Sequence, residues 1–305
     1  MKEIQHKERE DHVTVGVPVI LCHCRAEEYE AGGRAAAHYP FGGHPRYERL
    51  EKSLGFPLLN RDRGGITLTV QGELLLPHFR AVLLEEEKLQ EEISQINGLE
   101  KGCVRIGALN SICTNWLPGI LNSFSRKYPN IEVRVYQGGY QEIEDQLLDS
   151  LLDIGFVSLP TSERFNTITL LHDRLYCIAP LDFKPQKPSY VTPEDLKDIP
   201  LIQAQRGYDR NIQDIIEENQ LVLGQQHTIA LESAAIALVE GGMGCSILPE
   251  MVLKRHPGKY QVFPLLNSKD RTIALAVLKG KKVSLASEKM IQEIRAQIEE
   301  NSTKQ

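Results

Sequence analysis

The chain has 305 residues, more than one compact core usually takes, so two or three domains are expected. Hydrophobic residues make up 41% and charged residues 25%, which excludes wholesale disorder, and no apolar run reaches the length of a membrane span. The net charge of −6 has the wrong sign for a protein that coats nucleic acid indiscriminately and leaves room only for a local basic patch.

The N-terminus, Met1-Lys2-Glu3-Ile4-Gln5, lacks an apolar signal core, so a cytoplasmic protein is expected. Residues 1–45 show neither a helical nor a strand period, and Ala31-Gly32-Gly33-Arg34 and Pro40-Phe41-Gly42-Gly43-His44-Pro45 would break any helix placed there. They read as an aberrant, poorly ordered arm. Cys22-His23-Cys24 lacks the spacing of a zinc knuckle and has no second ligand pair, so no metal is expected. The other cysteines are Cys103, Cys113, Cys177 and Cys245, expected as reduced thiols, with Cys103 and Cys113 buried as small hydrophobes.

Order begins at Arg46. The spacing of Leu50 and Leu54 predicts the end of a helix over 46–54, with Gly55 in the left-handed position that closes it. Asn60 to Thr69 reads as strand, Gly-Gly turn, strand, with Arg61 and Arg63 near the tip. Thr69 is placed to cap a long helix whose apolar residues Leu76, Phe79, Leu83, Leu89, Ile93 and Ile96 form one seam. Nothing adjacent in sequence covers that seam, so it predicts a dimerisation helix. From Cys103 onward strands and helices alternate: strands at 104–109, 131–136 and 154–157, and helices at 116–127 and 143–152. That order specifies a parallel sheet with crossover helices. Strands at 168–171 and 175–178 lead to a second α/β unit, with strands at 200–203, 227–231 and 245–248 and helices at 210–218 and 234–239. A strand over 271–278 and a helix over 287–299 close the chain. Two similar α/β halves joined by crossing strands predict a bilobed sensor with a cleft.

Several of these segments, in this order, carry a resemblance. Leu50-Glu51-Lys52-Ser53-Leu54-Gly55-Phe56-Pro57-Leu58-Leu59-Asn60-Arg61 resembles the junction between recognition helix and wing in LysR-type transcriptional regulators. Ile66-Thr67-Leu68-Thr69, followed by Gly72, resembles that family's wing and linker-helix start. Leu117-Pro118, Tyr128-Pro129 and Glu240-Gly241-Gly242-Met243-Gly244-Cys245-Ser246-Ile247-Leu248-Pro249 look like its effector domain. The resemblance spans roughly residues 46–300. It implies an α/β fold class: a winged helix-turn-helix remnant, a long linker helix that dimerises, and a two-lobed, periplasmic-binding-protein-like effector domain. It further implies a homodimer or homotetramer that acts on promoter DNA and responds to a small-molecule effector.

The N-terminus departs from the family pattern. Residues 1–45 contain no apolar first helix, no Ala-Ala-x-x-Leu helix and no Ser/Thr-rich start of a recognition helix, whose first residues reach the base edges. Read one base out of frame, permitted codons for Gly16 through His44 can encode all three features in the right order. Wobble leaves most shifted codons free, so this is compatibility. It motivates the hypothesis of compensating frameshifts before about residue 17 and near residue 48, which resequencing the gene would settle.

The domain division expected is an arm over 1–45, a partial winged helix over 46–71, a linker helix over 72–98, a first effector lobe over 102–160 and 268–300, and a second over 161–267. Arg46, Arg49, Lys52, Arg61 and Arg63 form the compact basic cluster and read either as solvated surface charge or as phosphate contacts, and the resemblance adds Thr67 and Thr69. Asn110-Ser111 follows a strand and starts a helix, which is either an ordinary cap or a place for an anion. The resemblance raises Ser111 and Thr114 as effector contacts. Gln203 and Gln205 end a second-lobe strand, where α/β sheets place ligands, or are solvated amides. Gly138 either admits a ligand to the backbone or marks a turn, and His227 and Thr228 face the cleft if the family layout holds. The sequence holds no Gly-rich phosphate loop, nucleophile elbow or His-Glu-x-x-His motif, so no enzyme, cofactor or catalytic residue is expected. The competing expectation is a stand-alone small-molecule-binding oligomer from a damaged regulator gene, without specific DNA binding.

Overall fold

The computed structural model describes residues 45–62, 65–96, 101–197, 199–204, 212, 214–216, 226–229, 231–266 and 270–303. The expected arm lies outside them. The chain divides into two compact units, residues 1–96 and 97–305.

In the first unit, helix α1 (Pro45–Leu54) is followed by a hairpin of β1 (Leu59–Asp62) and β2 (Gly65–Leu68), and then by the long helix α2 (Val70–Ile96). Gly55, at φ +85°, ends α1 as its sequence position predicts. β1 and β2 pair antiparallel with Leu59 opposite Leu68. A small core of Leu50, Leu58, Leu59 and Phe79, flanked by Leu54, Leu68, Leu75 and Leu76, ties the three elements together. The Glu51 carboxylate accepts hydrogen bonds from the backbone N–H groups of Leu58 and Leu59, which fixes the hairpin against α1. Gly72 sits so close to the hairpin that an added Cβ would overlap the Leu58 carbonyl oxygen. Of the predicted seam, Leu76 and Phe79 are spent on this core, while Leu89 and Ile93 stand exposed with Val82 beside them. The seam therefore has two jobs in succession, which an evenly spaced run of apolar residues does not reveal.

The second unit carries two five-stranded sheets. The first uses β3 (Gly102–Ala108), β4 (Ile131–Gln137), β5 (Ile154–Leu159), β6 (Phe165–Asp173) and β12 (Arg271–Leu278), in the order β4-β3-β5-β12-β6. The second uses β7 (Leu175–Ala179), β8 (Leu201–Ala204), β9 (Gln226–Ile229), β10 (Cys245–Pro249) and β11 (Gln261–Pro264), in the order β11-β7-β10-β8-β9. In each, three neighbouring strands run parallel and the next pairs antiparallel. The chain passes between sheets from β6 to β7 and from β11 to β12.

Helices α3 (Asn110–Asn115), α4 (Leu117–Lys127), α5 (Tyr140–Leu148) and α9 (Leu285–Thr303) go with the first sheet, and α6 (Pro193–Leu196), α7 (Glu232–Glu240) and α8 (Glu250–Leu253) follow strands of the second region. α4 buries Leu117, Ile120 and Phe124, as its three-to-four spacing predicts. Gly107 and Gly155 let α5 lie on the sheet, because a Cβ on either would press into Ile143. Among the described residues, no helix is long and apolar enough to cross a membrane.

Two expectations need correction. The second lobe was expected from residue 161, but β6 pairs with β12 over its whole length and belongs to the first sheet. Sequence order alone cannot tell which sheet a strand joins when its partner, β12, lies about a hundred residues on. Cys103 and Cys113, expected buried, are partly buried, Cys113 against the first core, whereas Cys177 and Cys245 are fully buried free thiols. The helix expected over 210–218 is described only at residues 212 and 214–216.

Candidate ligand site between the lobes

The site grows from the carboxyl end of β3, which lies between the parallel strands β4 and β5. An open α/β sheet leaves a crevice at such a point. Leu109, extended at φ −67° and ψ 157°, turns the chain from β3 into α3, and the next two residues present side chains there. Helix α3 has only six residues, so its dipole is a fraction of a long helix's. The positive charge at the site comes instead from a side chain.

That side chain is Arg271, at the start of β12 and 2% exposed. Its Nε and Nη2 both reach Asp173 Oδ2, at 2.8 and 2.7 Å. Nη2 also donates to Ser111 Oγ at 3.1 Å, and Nη1 to the Tyr140 hydroxyl at 3.5 Å. Asp173 closes β6 and accepts a further bond from the Met251 N–H at 3.1 Å. Arg271 and Asp173 thus stand at the two passages between sheets and hold them together. Burial pushes the Asp173 carboxyl above its ordinary pKa, and the Arg271 charge and hydrogen bond and the Met251 N–H oppose that without cancelling it. The Ser111 oxygen is an acceptor in this arrangement, so its own proton is directed away from Arg271.

Helix α3 is bonded to the second region at both ends. Asn110 Nδ2 donates to Glu232 Oε2, in the first turn of α7, at 2.7 Å, while Asn110 Oδ1 accepts from Gln137 at 3.3 Å. At the other end, Asn115 Nδ2 donates to the Met251 carbonyl at 3.0 Å and Arg255 Nε donates to Asn115 Oδ1 at 3.3 Å. Met251, from α8, is packed into the core of the first sheet.

Ser111 is where the sequence places it and is joined to Arg271. Thr114 is exposed and its hydroxyl donates to the Asn110 carbonyl of its own helix at 3.0 Å, so it back-bonds where a ligand contact was expected. A Cβ on Gly138 would lie 2.6 Å from Glu142 Oε2, and Glu142 accepts from the Gly139 N–H at 3.0 Å. Gly138 makes room for this cap, which is the turn reading of the two. Gln203 and Thr228 lie opposite each other on the parallel pair β8–β9, with His227 opposite Ile202. Gln205 lies outside the described residues.

In the first unit, Lys52 and Thr67 are exposed. Thr69 is buried: its hydroxyl donates to the Pro57 carbonyl at 2.9 Å and accepts from the Gly72 N–H at 3.0 Å. It serves as a helix cap. Arg46, Arg49 and Arg61 have their backbone in α1 and β1 with side chains outside the described residues, and Arg63 lies wholly outside.

The sequence did not single out Arg271, Asp173 or Glu232. Arg271 opens a strand that is otherwise apolar, and a charge at the mouth of a buried strand is the signal that could have marked it. Among the described residues, no group of three or more His, Cys, Asp and Glu is arranged to hold a metal.

Two α/β lobes, joined by hydrogen bonds that link α7, α8 and Arg255 to α3 and Asp173, define a two-lobed substrate-binding domain. Residues 97–299 match the model of the LysR substrate binding domain, and the chain belongs to the LysR family. It is 29% identical over 246 residues to the uncharacterized HTH-type transcriptional regulator YvbU of Bacillus subtilis, covering 80% of this chain and 84% of that protein. It is 28% identical over 204 residues to the HTH-type transcriptional activator CmpR of Synechocystis, covering 66% of this chain and 67% of that one. Among solved structures, full-length CbnR complexed with target DNA has a TM-score of 0.60 at 18% identity, covering 83% of this chain and 88% of CbnR. The Synechocystis CcmR regulatory domain in complex with 2-PG has a TM-score of 0.59 at 22% identity, covering 64% of this chain and 97% of that domain.

Proposed function

We infer that the chain is a LysR-type transcriptional regulator: a small-molecule effector enters between the lobes, is held at Ser111, and shifts the balance between states that bind promoter DNA differently. The observation that carries this reading is the Ser111 hydroxyl, fixed by the buried Arg271 at the carboxyl end of β3. The matched relatives are transcriptional regulators rather than enzymes, and the regulatory domain similar to this one is complexed with a small molecule. On this reading Gln203, His227 and Thr228 face the effector from the second lobe. Arg46, Arg49, Lys52, Arg61, Arg63 and Thr67 meet the DNA backbone, where each basic contact adds salt-dependent, sequence-blind affinity. The exposed Val82, Leu89 and Ile93 on α2 form the dimer seam.

Fluorescence anisotropy with the DNA upstream of the chain's own gene, against scrambled DNA at physiological salt, tests the reading. A regulator prefers the upstream sequence by about a thousandfold or more. The departure of residues 1–45 from the family pattern favours a second reading, the stand-alone effector-binding oligomer. It gives equal, weak binding to both DNAs that salt erases.

A further inference from the structure

Glu232 is 9% exposed, carries a carboxylate into the meeting place of the lobes, and has the Asn110 amide as its hydrogen-bond partner at 2.7 Å. A carboxylate has room for about four hydrogen bonds, so this one is under-used for a group so nearly withdrawn from water. Its neighbour across the gap is the residue next to Ser111. The Ser111 hydroxyl, backed by a cation, and Asn110, which holds the Glu232 carboxylate of α7, are thus consecutive residues of α3. The chemistry of Ser111 and Glu232 is opposite. Ser111 directs a proton outward and suits an acceptor. Glu232 offers only acceptors and suits a donor. Arg271 is held by two nitrogens to Asp173.

We propose that Glu232 selects the ligand: the molecule that occupies the site presents a carboxylate to Ser111 and, beside it, an ammonium or hydroxyl group that takes Glu232 from the Asn110 amide. A second anionic group at that point is rejected by the Glu232 charge, and a purely apolar substituent leaves the carboxylate without a donor. The proposal rests on the reading of the inter-lobe site as the effector site. It assigns that site the class of amino and hydroxy carboxylic acids, and it makes ligand entry and release of the Asn110–Glu232 contact between lobes one event.

Four three-carbon acids that differ in one group provide the test: propanoate, lactate, alanine and malonate, each titrated into the full chain by calorimetry. Lactate or alanine binds about tenfold or more tighter than propanoate and malonate, because a site built to accept a hydrogen bond penalises the analogue that lacks the donor. Glu232→Gln keeps an acceptor for Asn110 but removes the charge. In E232Q the preference falls to within a factor of about three and malonate gains affinity. Binding led or equalled by propanoate or malonate overturns the proposal, as does no binding by any of the four, or an unchanged preference in E232Q. Ser111→Ala separates this from the underlying reading. If S111A binds the acids as the parent does, the effector site is elsewhere. If it loses them all while E232Q keeps the parent's preference, the site stands and the role of Glu232 falls.

Discussion

In the first lobe of residues 97–305, buried side chains from β3, β5, β12, α3, α4, α5 and α9 form one continuous apolar cluster. In the second, an equivalent strand order carries, among the described residues, three smaller clusters, one around Ile202 and Val239, one around Ile215 and Ile247, and one around Cys177 and Phe263. The strand order does not set this difference. Among the described residues, the first sheet is covered by α4 and α9, of 11 and 19 residues, and the second by α7, of nine, with α6 and α8 of four each. A close-packed interior transmits strain and a subdivided one yields locally. On this contrast the first lobe is expected to be the platform that carries Ser111, and the second the part that adjusts around a ligand.

The largest expected effect strikes the buried ion pair between β6 and β12 in the first lobe. Arg271→Ala leaves Asp173 buried and unpaired, and costs about 3–5 kcal/mol in denaturant unfolding. The double variant R271Q/D173N, which keeps hydrogen-bonding shapes without charge, recovers most of that. A loss below about 1 kcal/mol in R271A would break the view of the pair as a buried brace of the first lobe. Next, Ile106→Val in β3 and Ile202→Val in β8 remove the same methylene from fully buried sites. Both lie within about 0.5–1.5 kcal/mol, with the first-lobe change at the upper end because its surroundings relax less. Equal costs, or the reverse order, would remove the contrast. Thr69→Ala, in the small unit, costs about 1 kcal/mol through its lost cap and shows as faster amide exchange at Gly72.

The smallest effect concerns pH. Burial pushes the Glu293 carboxyl up, but the Lys127 ammonium, hydrogen bonds from Ser123 and Gln297, and the Lys127 charge bring it below its ordinary pKa. Asp195 is likewise net depressed, because the N–H groups of Gln186 and Thr192 and the Thr192 hydroxyl outweigh its burial. A depressed folded pKa means that the unfolded chain binds more protons, so this stability is present above the ordinary carboxylate range and is lost as pH falls through the folded values. Asp173 has the opposite sign, its raised pKa making a contribution that weakens as pH rises. The melting temperature accordingly falls on acidification below the ordinary carboxylate range, and less so in Glu293→Gln.

Most of the element order was legible because each segment's apolar period matched one way of burying it. Leu117, Ile120 and Phe124 in α4 and the Gly55 stop of α1 follow from local spacing alone. The allegiance of β6 was not legible, since its partner comes from the far end of the chain. The site was half legible. Ser111 follows from its place after a strand, but Arg271, Asp173 and Glu232 come from three distant segments, and only folding brings them to α3. Thr69 illustrates the converse, because a wing residue and a cap residue look alike in sequence and only its buried hydroxyl decides between them.

The contact of Gly72 with Leu58 leaves no clearance between the start of α2 and the hairpin root. With Thr69 bonded to both sides of the same joint, helix and hairpin form a single rigid crank. The 27-residue shaft, about 40 Å at 1.5 Å per residue, then sets how far a turn of its far end displaces the hairpin tip.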